Sequence, residues 1–427
     1  MQNRNRCSVL GLLPLLLMTS LVLSACGGGS GGGQPAAAEP EPVQPRPVLI
    51  TGQESYEVSS FPRHFLVAPR GEEGRFVGQP AVVETDNTGS NEITNAGATL
   101  GRVLFYDKRL SIDDTVSCAS CHIQAFGFSD APDKIVSEGV NGGVTRRRSM
   151  GLANARFFVG GRAFWDLRAA SMEEQALMPI IDPVEMGLPD LDALEQKLAA
   201  IDYYPALFEA AFGTTEITRD RVAKALAQFV RSMVSFNSRY DQGRVEQIEE
   251  QGLDPVTSFM MPLPNFTDEE NRGKEIFLTP IVQGGGQCIG CHATEAFISA
   301  VTGPTNNGLD FDAPDFSVLE DQGACEPPEF ASDTSLCGKF KVPSLRNVAV
   351  RGPFMHDGRF ATLAEVIDHY SEGIQAHPNL AEVLEDAEGN PVRLNFSPED
   401  KAALIAFLNT LTDSVFLSDA KFSDPFQ

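Results

Sequence analysis

The 427-residue chain is short of cations, of histidine and of tryptophan, and each shortage narrows what it can be. Lysine and arginine number 33 against 58 acids, a formal charge of −25. Such a surface repels phosphate backbones and argues against nucleic-acid binding. Long apolar runs are also scarce. The run from Val9 to Leu23 follows Arg4 and Arg6 and ends in small residues, the pattern of an export leader and too short for a membrane span. Removing that leader takes away two cations and no acid, leaving −27.

The leader ends Leu23-Ser24-Ala25-Cys26, which resembles a bacterial lipoprotein signal with Cys26 as the lipidated first residue. A plain signal peptide with an incidental Cys26 is the alternative. Either way the mature protein is exported, and a lipid anchor would hold it in the periplasm, at the outer membrane. Gly- and Ser-rich sequence from Gly27 to Gly33, then a Pro- and Ala-rich stretch, reads as a flexible tether.

Apart from Cys7 and Cys26 there are six cysteines, and four fall in two identical patterns. Cys118-Ala-Ser-Cys121-His122 and Cys288-Ile-Gly-Cys291-His292 are both C-x-x-C-H, the attachment pattern for c-type haem. Two thiols about one helical turn apart can form thioethers with the two vinyl groups of one porphyrin. The adjoining histidine then lies beneath the ring as an iron ligand. A redox disulfide would want a βαβ setting and a zinc site further ligands, and neither context is present. Two of only six histidines occupy this position. The remaining pair, Cys325 and Cys337, suits a local disulfide in an oxidising compartment.

A weak repeat predicts two related units. Gly101-Arg-Val-Leu-Phe105 precedes the first haem motif and Gly273-Lys-Glu-Ile-Phe277 the second. Thr267 and Glu270 form a capping box for the second of these helices. Ser397 and Pro398 open a closing helix bearing Leu404, Leu408 and Leu411. Thr218 starts a helix with Val222, Leu226, Phe229, Val230 and Met233 at helical spacing. The expected architecture is mainly α: two cytochrome c-like domains, each around one covalent haem, with long irregular loops. The divisions are a signal peptide at 1–25, a tether at 26–55, and haem domains at 56–255 and 256–427.

The segments LGRVLFYDKRLS, VSCASCH, FWDLRAASMEEQALMP, DPVEM and FKVPSLRNVAVRGPFMHDGRFATLAEVIDHY, in this order, resemble the bacterial diheme cytochrome c peroxidase and MauG family. The resemblance runs from about residue 95 to about residue 412. It implies a first haem that meets hydrogen peroxide and a second that relays electrons. It places Glu185 as the distal acid, Gln175 as the neighbouring amide and Trp165, the only tryptophan, as the relay between haems. Where the family has glycine two positions after that tryptophan, this chain has Leu167. Val140 stands where many members carry a ligating histidine, and no histidine occurs between His122 and His292. The peroxide-binding iron is therefore expected to be open. For the second iron Tyr370 is aligned with the axial ligand, with Met355 and His369 as rivals.

Calcium is left open, because Arg148 falls where the family has an asparagine ligand; Arg146, Arg147 and Arg148 could pair with haem propionates instead. His356 carries no assigned role, and His64 and His377 read as surface residues. The resemblance implies a small cytochrome c or cupredoxin electron donor, with a homodimer also open. A MauG-like oxidation of side chains on a partner protein is one alternative function. A non-catalytic diheme electron carrier is another.

Overall fold

Polar capping residues start the helices where the sequence places them. In the computed structural model the residues described are 45–49, 55–58, 60–68, 80–299, 303–310 and 320–426. The leader, Cys7, Cys26 and most of the tether lie outside them. Nine helices of six or more residues form among the described residues. They are α1 (Asn95–Tyr106), α2 (Met172–Ile181), α3 (Leu191–Ala199), α4 (Tyr204–Phe212), α5 (Arg219–Ser232), α6 (Arg239–Val245), α7 (Asp268–Leu278), α8 (Leu363–Asp368) and α9 (Pro398–Asn409). Only isolated β-bridges join the loops, so the expected mainly helical class with long irregular connections is what forms.

Thr218 caps α5 by accepting from the Arg221 amide, and Thr267 and Glu270 make the reciprocal box at the start of α7. Ser397 caps α9, with Pro398 in its first turn. Leu404 and Leu408 are buried on α9, while Leu411 lies just beyond its end.

Helices α1 and α5 cross in the first lobe, and α7 and α9 cross in the second, at corresponding glycines. A Cβ on Gly101 would overlap the carbonyl oxygen of Ala225, and one on Gly273 that of Ala403. One turn further on, Phe105 meets Phe229 edge-on at 5.3 Å, and Phe277 packs against Phe407 at 5.2 Å. The weak repeat seen in the sequence is thus one helix crossing used twice.

Around these crossings lie two apolar cores, one including Leu104, Phe105, Leu226 and Phe229, the other Ile276, Phe277, Leu404 and Phe407. A smaller cluster links the lobes: Phe65, Phe157 and Leu167 pack with Ala296 and Ile298. The chain end also crosses over. Phe416 and Phe422 join the first core, and the Tyr106 hydroxyl donates to the Phe422 carbonyl at 2.7 Å. Residues Pro45–Gln427 form one compact unit.

Two histidines read as surface residues are interior. His64 is 1% exposed and its Nε2 lies 3.0 Å from Asp241, which also pairs with Arg346. Burial would raise Asp241, but Arg346 and His64 outweigh it and hold the carboxyl well below its ordinary range. His377 is also buried, and its Nδ1 accepts from the Asn379 amide at 3.0 Å. The expected disulfide joins Cys325 to Cys337.

The crossing makes a stability prediction. Gly273→Ala forces a methyl group into the α9 backbone and should cost about 1–3 kcal/mol, read as a lower denaturation midpoint by circular dichroism. An unchanged midpoint would mean the helices can separate without loss.

Candidate functional site

Each C-x-x-C-H segment opens onto a cavity that the chain does not fill. The first cavity is about 650 Å³ with its open mouth included, and is lined by Phe105, Cys118, Cys121, His122, Gln175, Glu185, Met186 and Leu226 among others. The second is about 1670 Å³ on the same measure and holds Cys288, Cys291, His292, Tyr370 and Met355. Both openings are bounded mainly by apolar surface.

Cys118 and Cys121 begin and end a single helical turn, which Ser117 and Ser120 cap reciprocally. None of the four motif cysteines is in a disulfide. Burial pushes Cys118 and Cys288 up to about 12, and Cys121 and Cys291 up to about 11. Redox-active thiols are displaced in the opposite direction. Among the described residues no three His, Cys, Asp or Glu groups are placed to share a metal ion.

Both motif histidines are set up as ligands. His122 Nδ1 lies 2.7 Å from the Phe128 carbonyl, and His292 Nδ1 lies 3.1 Å from that of Pro343. A carbonyl only accepts, so each Nδ1 carries the proton and each Nε2 keeps its lone pair. Burial lowers the pKa of both, His292 to about 4, so the imidazoles are neutral. Paired cysteines, a neutral imidazole and a largely apolar cavity fit a covalently attached haem at each place.

In the first cavity the two polar groups assigned by resemblance come together. Gln175 projects from α2, and Glu185 from the loop that follows it; both line the wall. Burial, reinforced by Asp182 and partly offset by Arg168, raises Glu185 to about 7. Val140 is buried in the first core, and its amide donates to the Glu185 carbonyl at 3.0 Å. A Cβ on Gly139 would overlap the Val184 carbonyl. The loop that could have carried a histidine is instead packed against the segment bearing the acid. Met186, which also lines this wall, was not singled out in the sequence.

Trp165 lines the second cavity and not the first. Its indole N–H donates to the Arg148 carbonyl at 2.8 Å, and its ring meets His356 edge-on at 6.5 Å. His356 stacks on Phe340 at 3.9 Å. The departure at Leu167 has a backbone cost: its φ is 61°, the region that glycine enters freely. A hydrogen-bonded link runs from one cavity to the other. His122 donates to Phe128, and the next residue, Ser129, lines the second cavity.

Of the three rivals for the second iron, Tyr370 and Met355 line the cavity and His369 does not. His369 Nε2 is directed to the Asn307 carbonyl at 3.1 Å. Asn307 Nδ2 donates to the Tyr370 hydroxyl at 3.2 Å and lies 3.7 Å from the Met355 sulfur. Tyr370 sits in a π-helical turn, His369–Gly373, continuing α8. Burial raises its phenol to about 12, against the pull of Asn307. Asn307 carries no signal in the sequence.

The three adjacent arginines are committed elsewhere. Arg146 and Arg147 pair with Asp321 and Glu326, and Arg147 also with Asp166. Arg148 is buried among main-chain oxygens, donating to the carbonyls of Lys134, Asp130, Ala131, Arg351 and Gly352. These oxygens come from both lobes, so the guanidinium ties the lobes together.

The sequence profile of the di-haem cytochrome c peroxidase family matches residues 95–257. The methylamine utilization protein MauG of Methylorubrum extorquens is 33% identical over 324 residues, 75% of this chain and 80% of that protein. The cytochrome c551 peroxidase of Nitrosomonas europaea is 28% identical, covering 74% and 79%. Among solved structures, a MauG-like protein associated with microbial copper homeostasis matches with a TM-score of 0.66 at 29% identity, over 86% of this chain and 99% of that one.

The environment of Glu185 predicts a carboxyl group that titrates near neutrality. Difference infrared spectra between pH 6 and pH 8 should show an acid band replaced by a carboxylate band with a midpoint of about 7, absent in Glu185→Gln. A midpoint below 5 would place the side chain in water.

Proposed function

Because the chain belongs to the bacterial di-haem cytochrome c peroxidase and MauG family of oxidoreductases, which carry two haem groups, we propose that it reduces hydrogen peroxide to water at the first cavity, using electrons relayed through the second. Cys118 and Cys121 attach one haem and Cys288 and Cys291 the other, with His122 and His292 as iron ligands. Bound there, haem supplies an iron centre that takes two oxidising equivalents from peroxide and is restored by two electrons. The observation that carries the reading is Glu185, held near neutrality in the first cavity beside a loop that offers valine rather than a ligand.

Glu185 moves the proton. As a carboxylate it accepts the proton of the peroxide oxygen nearer the metal; as an acid it returns that proton to the far oxygen. The O–O bond then breaks with water, not hydroxide, as the leaving group. Two electrons and two further protons complete the second water. The Gln175 amide, on the same wall, can hold the peroxide by hydrogen bonding while the proton moves. Trp165 and the His122–Phe128–Ser129 connection are the routes by which this chain carries charge between the cavities.

The electrons come, in this reading, from a small exported cytochrome or cupredoxin, steered by the acidic surface. Cys26 anchors the mature chain in the periplasm, at the outer membrane. Tyr370 favours a second reading, a MauG-like one, in which the oxidising equivalents are spent on side chains of a partner protein. A hard phenolate ligand stabilises oxidised iron, where a thioether stabilises reduced iron. Turnover of peroxide with reduced cytochrome, set beside mass spectrometry of coexpressed neighbours, separates the two. A non-catalytic carrier would consume no peroxide at all.

Glu185→Gln should slow the reaction with peroxide by about 10²–10⁴-fold. In the wild type the rate should rise with pH through about 7, as the carboxylate forms, and this dependence should vanish in the variant. An equal pH profile in both would remove Glu185 from the proton path.

Electron paramagnetic resonance tests the ligands. The ferric protein should show one high-spin centre, and Tyr370→Phe but not Met355→Leu should alter the signal of the other. Two low-spin centres with paired nitrogen ligands would refute the open first site.

A further inference from the structure

The wall of the second cavity contains two buried cations that no acid neutralises. Lys341 and Arg351 both line it, and each is only 8% exposed. The Lys341 amide is fixed by the Trp165 carbonyl at 2.8 Å, and its ammonium lies 4.0 Å from the centre of the Phe158 ring. Among the described residues it has neither a salt bridge nor a hydrogen-bond acceptor. Arg351 donates Nη2 to the Ser344 carbonyl, while its buried Nε has no acceptor.

Among the described residues no acid near this wall pairs with Lys341 or Arg351; buried Asp130, whose Oδ2 has no partner, acts on Arg148 instead. Asp321 serves Arg146 and Arg147 and lies 3.8 Å from His356, and Asp166 serves Arg147 and Arg168. Arg148, in the same wall, is satisfied by carbonyls, and it adds charge instead of cancelling it. Burial and then Arg351 lower Lys341 to about 7, and burial and then Arg148 lower Arg351 to about 10, with no acid opposing either shift. Two desolvated, uncompensated charges are costly to keep, and folded proteins pair them. The first cavity differs: no lysine or arginine lines it.

We propose that Lys341 and Arg351 form a dicarboxylate-binding wall that receives the two propionate groups of the second haem and raises its reduction potential relative to an uncharged wall. This rests on the reading that the second cavity holds haem. Reduction removes one positive charge from the iron, so fixed cations beside it favour the reduced state. They act against Tyr370, whose phenolate favours the oxidised state. The second haem is thereby held between two opposing influences, and the first meets neither.

The test is spectroelectrochemical titration of both haems in the full-length holoprotein. Lys341→Met and Arg351→Met should each shift the second haem's reduction equilibrium about tenfold toward the oxidised form, about 59 mV for one electron. The first haem should move much less, and neither haem should move in Lys108→Met, which removes an exposed lysine. Resonance Raman spectra of Lys341→Arg, which keeps the charge, should show displaced propionate bending bands of the second haem. If the Met variants do not accumulate, that spectrum decides alone. Two haems per chain with an unmoved second potential, or unmoved propionate bands in Lys341→Arg, would overturn the proposal and leave the diheme reading standing. Fewer than two haems in the wild type would overturn the reading itself.

Discussion

The close approach of two helices at a glycine is the constraint on which each lobe depends. Without a side chain at Gly101 or Gly273, one helix lies directly against the backbone of another, at Ala225 or Ala403. That contact sets Phe105 and Phe277 one turn away, each against the phenylalanine of the partner helix. Phe105 also lies 6.4 Å from the ring of His122, so the crossing bears on the haem motif directly. The core closes on one side of each motif and stays open on the other.

The two openings are alike in their thiols and imidazoles and unlike in charge. Around the first, among the described residues, the one titratable group beyond the motif is Glu185, raised toward neutrality by its surroundings. Around the second stand a phenol, two thioethers and three cations. Low polarity amplifies each of these differences, because a charge held away from water acts on its neighbours with little screening. One architecture therefore provides a place suited to proton transfer and another suited to holding electrons.

Much of this was legible in the sequence because its signals are local. The haem motifs are five residues long, and the caps at Thr218, Thr267 and Ser397 act within one helical turn. The paired glycines were visible as a repeat, although their purpose needed the partner helices. What escaped depends on contacts between distant segments. His64 reads as an isolated polar residue until Asp241, 177 positions on, is placed beside it. Asn307 has no motif at all, and it acquires meaning only when Tyr370 and Met355 converge on it. Arg148 was recognised as a departure, but its carbonyl partners lie on loops that carry no sequence pattern. Leu167 was noticed as a substitution for glycine; its positive φ explains why glycine suits that position.

The return of the chain end to the first lobe has a consequence for how the molecule is made. Phe416 and Phe422 complete a core whose other members come mainly from residues before 235. During synthesis from the amino terminus, that core waits for nearly the whole polypeptide. Until then Cys118 and Cys121 belong to an unfinished structure. Arrival of the last few residues then completes the first lobe, so the order of synthesis sets when its core can close.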